Sequence, residues 1–202
     1  MMSPAIHTQF IEIAKDVSPL LAGAIANTGP LELAPRQETP FAERLCRAVA
    51  GQQLSVKAAK TIWGRVVANA AGLPFIEYVA VATPETLRTC GLSASKAKAM
   101  RAIAQATLDG QIDATELGAL DHGDRTQRLT AIWGVGQWTA DMMGIFYFGD
   151  PDIWPDGDIT ARKTLEKLTS SRRKTTRTAA RFAPHRSYLA LYMWRQANAA
   201  PN

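Results

Sequence analysis

Cysteine is scarce in this chain of 202 residues. Cys46 and Cys90 are far apart and outside any Cys-x-x-Cys spacing, which excludes a zinc ribbon, a four-thiolate iron–sulfur cluster and a disulfide framework. A reducing cytosol fits that pattern. No stretch approaches the roughly 20 apolar residues of a membrane-spanning helix, and Met1 to Lys15 lacks the basic start and apolar run of a secretory signal. The expected location is therefore cytoplasmic, with no membrane partner. Alternating, strand-like runs are nearly absent, and no internal repeat of solenoid period is visible. Acidic residues are missing from one region altogether. From Lys167 to Asn202 there is no Asp or Glu, while Lys167, Arg172, Arg173, Lys174, Arg177, Arg181, Arg186 and Arg195 are all basic. The net charge of +5 and the pI of about 9.4 thus come from the C-terminal sixth. Such a segment suits a phosphate backbone, although a solvated helix face would read the same way.

The chain is 47% hydrophobic and 20% charged, an ordinary globular balance, and is long enough for one large domain or two small lobes sharing a core. The expected fold is all-α: a compact multi-helix array of two helical lobes. Helices are predicted at 5–16, 19–27, 40–51, 55–71, 84–90, 94–109, 121–133, 137–148, 159–168, 171–182 and 187–198. Thr39-Pro40, Thr83-Pro84 and Ser93 supply N-cap hydroxyls beside residues suited to a first turn. Leu45, Val49, Val56, Ala59, Ile62, Trp63 and Val66 recur at three- and four-residue steps and mark inward faces. Pro and Gly clusters at 28–35, 72–74 and 149–155 mark loops. The organisation expected is one helical unit over 1–202. Residues 35–120 form mainly its central lobe, 121–170 carry a hairpin and an acidic helix start, and 1–34 with 171–202 form the second lobe.

The stretch Leu129–Asp141, LTAIWGVGQWTAD, is the most informative. An apolar helix ends at Trp133, Gly134-Val135-Gly136 turns tightly, and Gln137-Trp138-Thr139-Ala140 begins another helix. Glycines admit left-handed backbone and a close approach, and successive amides at the positive end of the second helix can point at one anion. A phosphate suits that cradle; a plain helix–helix turn is the alternative.

The pattern L-x-x-x-x-G-V-G-x-W-T-A, followed by Ile153-Trp154-Pro155-Asp156-Gly157-Asp158, resembles the helix-hairpin-helix DNA glycosylase superfamily, with its Gly/Pro-rich loop and catalytic aspartate. Within it the chain is most similar to the alkylated-base branch of 3-methyladenine DNA glycosylase II. The resemblance spans about 41–195. It also rests on Ala50-Gly51-Gln52-Gln53-Leu54-Ser55, on Gly91-Leu92-Ser93 with Lys96, and on Pro184-His185-Arg186-Ser187-Tyr188. It implies an active site in the cleft between two lobes and a monomer acting on double-stranded DNA with a damaged base. The implied enzyme is a hydrolase that flips an alkylated base out, cuts its N-glycosidic bond and leaves an abasic site for base excision repair. In a prokaryote the protein would associate with the nucleoid. Backbone-cleaving relatives carry a lysine where Trp138 stands, so no lyase activity is expected. No cofactor or catalytic metal is implied; a structural monovalent cation at the hairpin is.

The resemblance assigns Asp158 as the catalytic carboxylate, at the start of the helix DITARKTLEKL, where dipole and free amides favour the anion. An ordinary N-cap is the alternative, and Asp156 is the rival acid, read as loop structure. Base-pocket positions are Trp138, Met142 and His185, with Tyr147 or Trp154 assisting. Histidine replaces the tryptophan frequent at that last position. Core packing is the alternative for each. Gln52 and Gln53 are the wedge and gap-filling candidates. Gly134, Val135, Gly136 and Thr139 are the hairpin's phosphate contacts, and Lys96, Arg172, Arg173 and Lys174 the basic DNA contacts. A glycosylase for uracil, hypoxanthine or an oxidised purine, and a noncatalytic helix-hairpin-helix DNA-binding module, are the competing functional readings.

Overall fold

The computed structural model describes residues 2–199, excepting the side chain of Val56. All regular structure among them is helical. The chain opens with α1 (Pro4–Val17) and α2 (Pro19–Thr28). It continues with α3 (Phe41–Gly51), α4 (Val56–Asn69), α5 (Phe75–Val81), α6 (Pro84–Thr89) and α7 (Ala94–Leu108). Then follow α8 (Ala114–Ala119), α9 (His122–Thr130) and α10 (Gln137–Met143), which runs into a π-helical turn at Gly144–Phe148. The chain closes with α11 (Ile159–Leu168), α12 (Thr175–Ala180) and α13 (Arg186–Ala199). Caps explain most of the starts. Ser3, Ser18, Ser55, Thr83 and Ser93 each accept from an amide of the first turn, and Pro follows three of them at the first helical position.

The contacts divide the chain into two units, residues 2–36 with 144–199, and residues 37–143. In the first, α1 packs on α2 and α11 on α13. Its core gathers Phe10, Leu21, Ile25, Leu165, Phe182, Leu189 and Tyr192. The Phe10 ring stands 5.0 Å from that of Phe182 and 6.0 Å from that of Tyr192. The Tyr192 hydroxyl donates to the Gly29 carbonyl at 2.9 Å and lies 2.8 Å from His7 Nδ1, so its partners are in the N-terminal helices. Burial pushes its ionisation up to about 12. The earliest and latest helices thus share one core.

In the second unit α3 packs on α7 and α4, α5 packs on α7, and α9 packs on α10. Leu45, Cys46, Val49, Leu87, Met100, Ile103, Leu117 and Leu129 are among its most buried apolar side chains. Buried Arg125 donates to the carbonyls of Leu117 and Leu120, which ties the end of α8 to α9. Cys46 and Cys90 are free and buried, and desolvation pushes the Cys46 thiol far above its ordinary range, so it behaves as a small hydrophobe. In α4 only Val66 of the expected stripe is fully buried; Ala59, Ile62 and Trp63 are half-buried, and Val56 lies outside the described side chains.

Two short helices, α5 and α8, lie outside the predicted ones, and three predicted helices are clearly shorter, among them the one expected over 121–133 and to end at Trp133, which ends at Thr130. The helix expected over 137–148 keeps α-geometry only to Met143, and the one expected over 171–182 is confined to α12.

Candidate nucleic-acid interface and acidic site

The hairpin lies wholly within the second unit. Gly134 has φ +85°, and a Cβ there would stand 2.4 Å from that of Ala99 in α7, so both its conformation and its packing require glycine. The Val135 amide donates to Ile132 O at 3.1 Å, closing the turn, and its side chain is buried. Gly136 O accepts from Thr139 and Ala140 as α10 begins. The amides of Gly136 and Gln137 have no such carbonyl partner among the described residues, as expected at a helix start. These, rather than Val135 or Thr139, are the donors the turn presents.

Thr139 is 1% exposed, and its hydroxyl accepts from Gln52 Nε2 at 2.9 Å. That bond joins two sequence motifs 87 residues apart. It also withdraws the Gln52 side chain from the role of a free wedge. Gln53, next along, is exposed and holds φ +56°, an uncommon conformation for a residue with a Cβ. Lys96 fixes the same loop: its ammonium donates to Ala50 O at 3.0 Å and Gln52 O at 2.7 Å, capping the carbonyl end of α3. Burial lowers its ionisation. Lys96 was expected as a basic DNA contact; its ammonium is engaged with these two carbonyls. A cation missed by the sequence reading is Lys98, whose ammonium stands 4.2 Å from the ring centroid of half-exposed Trp133, the last residue before the hairpin.

Trp138 is half-buried and Met142, at 8% exposure, is buried. Asp141 is also buried, and accepts from Gln137 Nε2 at 2.7 Å while His122 Nε2 lies 3.1 Å from the same oxygen. This acid therefore knits α10 to α9.

The acidic site lies in the first unit. Asp158 is the N-cap of α11. Its Oδ1 accepts from the Ala161 amide at 2.8 Å and from the Trp194 indole at 3.0 Å. Trp194, on α13, was missed by the sequence reading because its sequence position gives no hint of a partner 36 residues away. The rival acid is engaged elsewhere. Asp156 Oδ1 lies 3.1 Å from the Thr175 hydroxyl and 3.3 Å from the Trp154 indole nitrogen, so it acts as a brace of the loop.

The loop leading to Asp158 is bolted to the start of α13. Arg186 Nε donates to Asp152 Oδ1 at 2.6 Å and its Nη2 to Oδ2 at 2.9 Å, a bidentate pair. The Arg186 guanidinium holds the Asp152 carboxyl below its ordinary range. Ser187 Oγ donates to Asp150 O and accepts from the Ile153 amide. His185, just before, is half-buried, and its ring meets that of Tyr188 edge-on at 6.2 Å. Arg172, Arg173 and Lys174 are exposed and line a groove with Arg177, Arg181, Asp16 and Val17. Within it Arg173 donates to Val17 O and Arg181 pairs with Asp16.

Comparison with known proteins now decides the family. Residues 46–184 match the model of the HhH-GPD superfamily base excision DNA repair proteins. The chain belongs to this superfamily. It is 34% identical over 166 residues to DNA-3-methyladenine glycosylase 1 of Schizosaccharomyces pombe, an alignment covering 78% of this chain and 73% of that one. Among solved structures it resembles a DNA-3-methyladenine glycosidase from Bacillus halodurans, with TM-score 0.79, 28% identity and coverage of 98% of this chain and 90% of the other. It equally resembles a 3-methyladenine DNA glycosylase of Schizosaccharomyces pombe in complex with abasic DNA, with TM-score 0.79, 27% identity and coverage of 95% and 98%. Membership of the superfamily gives the hairpin and the acid a shared context. No helix of the described residues is long and apolar enough to cross a membrane.

Proposed function

We propose that this protein is a monofunctional DNA glycosylase that hydrolyses the N-glycosidic bond of alkylated bases, of the 3-methyladenine and 7-methylguanine type, in duplex DNA. The observation that carries the reading is the Asp158 carboxylate, fixed by an amide and an indole donor at the start of α11, in a chain that also holds the hairpin. The relatives' names support the lesion class.

An alkylated purine carries positive charge, so it is a good leaving group and is drawn to aromatic faces. Once the nucleotide is rotated out of the stack, the bond between C1′ and the base nitrogen breaks and its electron pair leaves with the base. Positive charge then develops on C1′ and the ring oxygen, and the Asp158 carboxylate stabilises it. Water adds to C1′ and gives up its proton, to Asp158 or to solvent, leaving an abasic sugar.

Trp138 and His185 are proposed to meet the base, and Met142 to support Trp138 from within the interior. Gln53 is proposed as the residue that fills the vacated stack, with Gln52 and Lys96 holding its loop. The amides of Gly136 and Gln137 are proposed to take a phosphate, and Arg172, Arg173 and Lys174 to strengthen binding. With Trp138 at the hairpin position where lyases carry lysine, no backbone cleavage is expected. The test is release of free base from methylated duplex DNA, with the product heated in alkali to reveal abasic sites. Release of uracil or hypoxanthine instead would change the lesion, and tight duplex binding with no release would support a noncatalytic binding module.

A further inference from the structure

We propose that Trp194 is a positioning residue for the carboxylate of Asp158: it acts through its indole N–H and never touches substrate. The proposal rests on the glycosylase reading and deepens its acidic site.

Two features of the first unit carry it. Asp158 Oδ1 receives two donors from different helices, the Ala161 amide of α11 at 2.8 Å and the Trp194 indole of α13 at 3.0 Å. The amide bond is the ordinary N-cap bond and sets only where the carboxyl stands along α11. The indole bond comes from a helix 36 residues on and sets the rotation of the carboxyl plane. Trp194 is itself held. Its ring lies against Phe146, centroids 5.5 Å apart and planes 32° from parallel. Phe146 sits in the π-helical turn, its carbonyl accepts from the Arg36 amide at 2.9 Å, and the Arg36 guanidinium stands 5.9 Å from its ring. The result is a braced column from Arg36 through Phe146 and Trp194 to Asp158.

A carboxylate that stabilises an oxocarbenium ion must be held anionic and at fixed distance from C1′. An indole N–H suits that work, because it donates, cannot accept and cannot take the proton. Losing it keeps the N-cap bond of α11 and removes the donor that comes from α13.

The experiment compares wild type with Trp194→Phe, which keeps the ring on Phe146 and deletes only the donor. Single-turnover excision of 7-methylguanine from methylated duplex is measured at neutral pH as a function of enzyme concentration. The expected loss in the maximal rate is on the order of tenfold to a hundredfold, with the half-saturating enzyme concentration near that of wild type. Melting temperature and duplex affinity should stay near wild type. A second variant, Phe146→Leu, leaves the N–H and loosens its support, and should fall between the two. A wild-type maximal rate for Trp194→Phe overturns the proposal. So does a rate loss matched by a comparable fall in melting temperature or in duplex affinity, since that marks a structural role. If wild type itself releases no base, the glycosylase reading has failed instead, which is a separable result.

Discussion

Gly134 is an example of a backbone demand. Its left-handed conformation and the 2.4 Å approach of any Cβ to Ala99 mean that Gly134→Ala must both strain the turn and displace α7. A loss of about 2 kcal/mol in urea unfolding is expected, together with weaker duplex binding. Lys96 is an example of a charge spent internally. Lys96→Met leaves the carbonyls of Ala50 and Gln52 without their donor. Excision should then slow more than undamaged-duplex affinity falls, because the loop bearing Gln53 loosens while the hairpin is untouched; rates and affinities measured side by side check this.

At the scale of elements, the loop before α11 is held by the start of α13, and its ion pair has a pH signature. Arg186 holds the Asp152 carboxyl below its unfolded value of about 3.9. The pair's stabilisation is therefore complete above that value and disappears as pH falls through the lower, folded-state value. Both side chains are about a third exposed, so water screens the effect and it should be modest. Asp152→Asn should lower unfolding stability at pH 7, and its gap to wild type should close in urea titrations as the pH falls through the folded-state value of Asp152.

Elements also show what was legible in the sequence. α11 runs Ile159–Leu168, the range read from its cap and apolar spacing. Asp158 could be singled out because it closes the loop motif on which the resemblance rests and stands at a helix start. Trp194 could not, because its partner is set by how α13 packs on α11. The six-residue α8 escaped because one turn and a half gives periodicity too little length to register, although its Asp113 cap was present. α12 was overextended because basic, helix-favouring residues flank it without burying a face. Thr139 was read as a phosphate contact from its place in the hairpin and Lys96 as a basic DNA contact from its charge; their bonds to Gln52 depend on packing between elements that sequence spacing does not reveal.

For the molecule as a whole, the excess positive charge lies C-terminal to Glu166. If Arg172, Arg173 and Lys174 meet phosphates, duplex affinity falls with rising salt, and the triple substitution to Ala flattens the slope of log Kd against log salt by about 2 to 3. An unchanged slope would assign that groove to another role.

The proposed hydrolysis turns on the Asp158 carboxylate. Asparagine at this position keeps an oxygen for both the Ala161 amide and the Trp194 indole, so Asp158→Asn should fold and bind duplex as well as wild type or better. The decisive measurement is release of methylated purine from duplex DNA by the two proteins. Release by wild type, with a loss of at least about a thousandfold in the variant, is the predicted result; equal release by both would contradict it.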